Sequence, residues 1–71
     1  MTIEQFSSRV KELREAIPAT IEEISIFSGL TPERVATIEG GKDKSVNALE
    51  VHRLAFALGT TYQGLMFGKV K

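Results

Sequence analysis

Between Pro32 and Lys44 the sequence gathers side chains that could read another molecule's surface. Arg34 offers a planar fork of N–H donors, Glu33 only accepts, and Thr37 joins a methyl group to a hydroxyl. Val35 and Ile38 are spaced to face a core, which leaves Pro32, Glu33, Arg34 and Thr37, with Ala36 beside them, outward if the stretch is helical. In the major groove of a duplex, Arg34 can fork onto guanine or a phosphate and Thr37 can touch a thymine methyl. Glu33 can accept only from cytosine N4. Lys42 and Lys44 follow in a polar loop and are suited to phosphates. The same residues also fit a plain solvated surface, with Arg34, Lys42 and Lys44 offset by Glu33 and Asp43.

Other chemistries find little to work with. His52 is the single histidine and cysteine is absent, so a metal site lacks ligands and no thiolate or disulfide chemistry is available. Glu22 and Glu23 are adjacent and cannot share one helix face as a carboxylate dyad; Glu23 is better used as a cap partner. No nucleophile–base arrangement, phosphate-cradling glycine loop or cofactor motif is present. The expectation is a protein that is not an enzyme, with no cofactor and no metal.

Seventy-one residues make one small domain with a modest core, expected over about 3–67 with a tail at 68–71. Its 42% hydrophobic and 25% charged residues argue against a disordered or fibrous chain. Nine basic residues balance nine acidic ones, giving zero net charge where nucleic-acid binders usually carry a basic surplus. Early Glu4 and the lack of a long apolar run speak against a signal peptide. The stretch from Leu54 to Gly68 is too broken by glycine and polar residues to span a bilayer. A soluble, cytoplasmic chain is expected.

Five helices must position these side chains. The first is expected from about Ile3 to Ala16, capped by Thr2 with Gln5, its stripe Phe6, Val10, Leu13 and Ile17, and ended by Pro18. Thr20 and Glu23 form the box that opens the second, which stops at Ser28–Gly29. Thr31 caps the third, Pro32 takes its first position, and Gly40–Gly41 ends it near Glu39. Asn47 with Glu50 opens the fourth, whose inner stripe is Val51, Leu54, Ala55 and Leu58. Thr61 or Thr60 caps a short fifth helix over roughly Tyr62–Phe67. Ser25, small and four residues before Gly29, suits a close helix crossing, with Ile24, Leu30, Val35 and Ile38 locking helices two and three into a helix-turn-helix.

From about Phe6 to Met66 the chain resembles the lambda-repressor-like DNA-binding domains, in particular the Cro/C1-type (xenobiotic-response-element-like) helix-turn-helix family. The resemblance is carried by 10–14 (Val-Lys-Glu-Leu-Arg), Glu22-Glu23-Ile24, Ser28-Gly29-Leu30-Thr31, 35–42 (Val-Ala-Thr-Ile-Glu-Gly-Gly-Lys) and 54–59 (Leu-Ala-Phe-Ala-Leu-Gly). It implies an all-α fold with helix three in the major groove, and a sequence-specific transcription regulator acting on double-stranded DNA, commonly as a homodimer. It also implies a partly buried ion pair between Arg14 and Glu39. Two departures stand out. Ile21 occupies the place where the family usually has a glutamine that contacts the DNA backbone. Ser45-Val46-Asn47 replaces an Asn-Pro-Ser-like run, in a loop one residue longer.

Phe27, Phe56, Tyr62 and Phe67 either complete the small core or line a partner surface, with Phe56, Tyr62, Met66 and Phe67 as the candidate dimer contact. Neutral charge, Ile21 and Glu33 support an alternative: a non-catalytic protein-interaction module on the same fold, antitoxin-like or a regulator-binding subunit.

Overall fold

Thr20, Thr31, Asn47 and Thr61 each stand one residue before a helix. In the computed structural model, which describes residues 3–67, each side chain accepts from the backbone N–H three residues on. The elements so opened are α2 (Ile21–Ser28), α3 (Pro32–Glu39), α4 (Ala48–Leu58) and α5 (Tyr62–Phe67), preceded by α1 (Ile3–Ala16). The Thr20–Glu23 and Asn47–Glu50 boxes are closed from both sides: Thr20 N–H donates to Glu23 at 2.8 Å and Asn47 N–H to Glu50 at 3.2 Å. Each such cap satisfies donors that the first helical turn would otherwise leave without partners. Thr61, not Thr60, supplies the α5 cap, because Thr60 is drawn back by its N–H to Ala55 O. The Thr2 cap and the 68–71 tail lie outside the described residues.

The described residues are all-helical, as expected. Phe6, Val10, Ile24, Val35, Ile38, Val51, Leu54, Ala55, Leu58 and Leu65 form the core, one to four from each helix. α4 packs against α2 and α5, α1 against α3, α4 and α5, and α2 against α3. Two expected core residues are corrected. Ile17 is half exposed because α1 ends at Ala16 and the chain folds back, with the N–H groups of Ile17 and Ala19 both donating to Arg14 O. Leu30 is only partly buried, since it sits in the turn between α2 and α3.

That turn is the tightest requirement on the sequence. Gly29 has φ 75° and donates to Ser25 O, and a Cβ there would lie 2.7 Å from Arg53 Nη1. Only a residue without a side chain takes this left-handed position at low cost. Ser25 does more than permit close packing: its hydroxyl donates to Leu30 O, while Ser28 Oγ accepts from Leu30 N–H at 3.2 Å. The two serines bind both backbone groups of Leu30 and hold α3 at a fixed angle to α2.

Candidate nucleic-acid interface

α3 divides along its length. Val35 and Ile38 are buried, and Pro32, Glu33, Ala36 and Thr37 are exposed on the opposite side. Thr37 Oγ1 donates to Glu33 O at 2.8 Å, so its one hydroxyl proton is used within the helix and its methyl remains for other contacts.

Arg34, expected outward with this group, is turned away from it. Its Nε and Nη2 donate to the two carboxylate oxygens of Glu50 at 2.6 and 2.8 Å, and Nη1 donates to Asp43 Oδ2 at 2.7 Å. Ser45 Oγ accepts a longer contact at 3.4 Å. The reason is geometric and electrostatic: Glu50 closes the α4 capping box with one carboxylate edge, and Arg34 meets both oxygens with a bidentate fork. Arg34 thus joins α3 to the following loop and to the start of α4.

The charges in this cluster reinforce one another. Asp43 is held down to about 2, first by the Ser45 hydroxyl, then by the Ser45 N–H, then by Arg34. Glu50 is lowered mainly by the Arg34 hydrogen bonds, and Arg34 is raised by Glu50 and then by Asp43. Lys42 and Lys44 flank Asp43, are exposed, and make no ion pair among the described residues. Asp43 is turned toward Arg34 but keeps 27% exposure, while Lys42 and Lys44 line a groove with Ile3, Glu4, Val46 and Met66.

Arg14 and Glu39 join α1 to the end of α3. Arg14 Nε and Nη2 donate to Glu39 Oε2 and Oε1 at 2.7 and 3.0 Å, and Nη1 donates to Ala19 O at 2.9 Å. The side chains are 14% and 7% exposed, so the pair is largely buried. The Glu39 hydrogen bond raises Arg14 above its ordinary value. The ends of α1 and α3 and the α1–α2 link therefore meet at one guanidinium.

Between that link and α3 runs a shallow groove whose walls include Glu15, Glu22 and Glu33, with Pro18, Ala19, Ile21, Pro32 and Ala36 as its apolar part. Ile21 is half-buried and packs against the core. On α4 and α5, Phe56 is 78% exposed and Phe67 60%, while Tyr62 and Met66 are half-buried against the core. The His52 ring lies 4.5 Å from that of Tyr62, so the histidine serves as a stacking partner between α4 and α5. Phe27, at 60% exposure, is no core residue either. Among the described residues no three metal-ligating side chains converge, and no helix is long and apolar enough to cross a membrane.

Sequence reasoning missed the roles of Asp43, Ser45 and Glu50 around Arg34. Glu50 was legible as a cap, but nothing local to it indicates a partner sixteen residues earlier.

No family model matches the sequence. The chain is 31% identical over 65 residues to the HTH-type transcriptional repressor RghR of Bacillus subtilis (strain 168), covering 92% of this chain and 48% of RghR. It therefore spans about half the length of the curated relatives it matches. The restriction-modification controller protein C.AhdI from Aeromonas hydrophila superposes with a TM-score of 0.84 at 30% identity, covering 90% of this chain and 96% of that one. The FeII form of HppE is also similar, with a TM-score of 0.80 and 28% identity over 92% of this chain, but the likeness extends to 34% of HppE. With the capped helices, the Gly29 turn and a likeness that spans nearly all of C.AhdI, the chain belongs to the Cro/C1-type helix-turn-helix family of lambda-repressor-like DNA-binding domains.

Proposed function

We propose that this chain is the DNA-binding domain of a cytoplasmic transcription regulator, laying α3 in the major groove of double-stranded DNA and performing no catalysis. The observation that supports this most is the sorting of charge in the loop after α3: Asp43 is engaged by Arg34, while Lys42 and Lys44 on either side of it stand exposed and without an ion-pair partner among the described residues. Pro32, Glu33 and Thr37 are the base-facing residues, and Lys42 and Lys44 hold phosphates. Arg34 is a positioning residue that keeps the lysine loop against α3.

The regulator acts as a homodimer, through Phe56, Tyr62, Met66 and Phe67. His52 lies one helical turn before Phe56 and stacks on Tyr62, which brings the exposed side of α4 alongside α5. Two copies place their α3 helices on half-sites about 10 bp apart.

The test is a set of duplex titrations at several salt concentrations. Lys42→Ala should weaken binding to every sequence alike and lower the salt slope by about one unit per protomer, because one fewer counterion is released. Unchanged affinity and slope would remove Lys42 from the interface.

A second reading, a protein-interaction module, is favoured by the Glu15–Glu22–Glu33 groove with its apolar part around Ile21. It predicts that Glu22→Lys or Glu33→Lys leaves duplex binding absent while abolishing capture of a basic protein partner.

A further inference from the structure

We infer that α3 reads a pyrimidine-rich half-site strand, with a cytosine opposite Glu33 and thymine methyls against Ala36 and Thr37. This rests on the DNA-binding reading above and deepens it to a class of operator. It follows from an inventory of what the outward face of α3 can offer. Pro32 has no backbone N–H and a hydrocarbon ring, Ala36 has only a methyl, and Glu33 only accepts. Thr37 has its single donor committed to Glu33 O, and Arg34 has its fork committed to Glu50 and Asp43. To swing outward, Arg34 would strand the carboxylate of Glu50, which is only 13% exposed.

The exposed side chains of α3, Pro32, Glu33, Ala36 and Thr37, therefore present acceptors and methyl groups, and no free donor. Guanine shows the major groove two acceptors, N7 and O6, which a carboxylate repels. Adenine offers one donor beside the acceptor N7, so Glu33 meets it half matched. Cytosine shows N4–H2 as a donor, and thymine shows a methyl for apolar contact. The face is complementary to C and T on the contacted strand.

The experiment is selection of bound sites from random duplexes by the wild type, Glu33→Gln, Arg34→Ala, Thr37→Ser and Thr37→Val, followed by titration of the selected site. The wild type should enrich a C·G pair next to T·A pairs. Glu33→Gln should weaken that site about tenfold and shift the preference at the C·G pair to A·T, since a glutamine amide matches both adenine N6 and N7. Thr37→Val should keep the thymine preference at the base pair facing residue 37, and Thr37→Ser should lose it there while leaving the one facing Ala36. Uracil in place of the contacted thymine, which removes only the methyl, should weaken binding severalfold. Arg34→Ala should lower overall enrichment and leave the motif unchanged.

A C·G preference that survives Glu33→Gln and disappears with Arg34→Ala would overturn this inference in favour of arginine reading guanine, with DNA binding itself intact. A wild type that binds no duplex in a salt-dependent way would overturn the DNA reading and this inference together.

Discussion

Arg34 could be recognised from sequence as a capable donor, but not where its donors go. Asp43 lies nine residues away and Glu50 sixteen, across a loop that has no helical periodicity to place either one. The caps, by contrast, are three-residue relations and could be read directly, as at Thr20–Glu23 and Asn47–Glu50. The Arg34 cluster makes stability depend on acid. Asp43 is held near 2, below its ordinary 3.8, so the unfolded chain binds more protons between those values. Its contribution is complete above about pH 4 and is lost as the pH falls toward 2. Urea unfolding at pH 7, 4, 3 and 2 should show this loss, and Asp43→Asn should flatten that part of the profile. Glu50, also lowered, should add a second contribution to the same acid limb. At the other end of α3, Glu39→Ala strands Arg14 with only the Ala19 carbonyl. That substitution should cost roughly 3 kcal/mol, the low end for breaking a buried pair, because both side chains keep some solvent contact. A double-mutant cycle with Arg14→Ala should recover much of that value as coupling; additive losses would make the two residues independent.

Among the elements, α2 and α3 were the most legible, since their start, stop and inward positions are all local signals. Ile24, Val35 and Ile38 are fully buried, and Gly29 takes the left-handed conformation that ends α2. Gly29→Val should be strongly destabilising. A β-branched residue at φ 75° is strained by more than the 1–2 kcal/mol typical of left-handed residues, and its Cβ would displace the Arg53 guanidinium. Thermal unfolding checks this, and Gly29→Asn should lose distinctly less, because asparagine tolerates that region better. Less legible was α1, whose stripe continues in sequence to Ile17 while the helix does not. Apolar spacing reports which residues could share a face, and the fold-back onto Arg14 O decides where that face ends. Ile26, Phe27 and Leu49 likewise stand exposed although their types suggest burial. The core closes with a limited number of inward positions on short helices, and hydrophobicity alone does not rank the candidates for them.

For the whole molecule, zero net charge conceals an uneven distribution. The lysine loop shows positive charge, and the groove between the α1–α2 link and α3 carries three glutamates. Assembly is the second property at this scale. The proposed dimer through Phe56 and α5 would cover Phe56 and Phe67, two of the three phenylalanines that the single chain exposes, Phe27 being the third. Sedimentation at high micromolar concentration should therefore show the dimer, and Phe56→Asp should shift it to monomer while thermal stability changes little, since Phe56 is not in the core. A wild type that stays monomeric with and without DNA would contradict the dimer contact. Duplex binding through α3 and its lysine loop can be measured as the salt dependence of wild-type binding to the selected duplex and to a scrambled one. Binding should be tighter to the selected duplex, and log K should fall linearly with log salt. Four lysines in a dimer set that slope at roughly −3.6, or −0.9 for each phosphate neutralised. Absence of salt-dependent binding to either duplex would contradict duplex binding through α3 and its lysine loop.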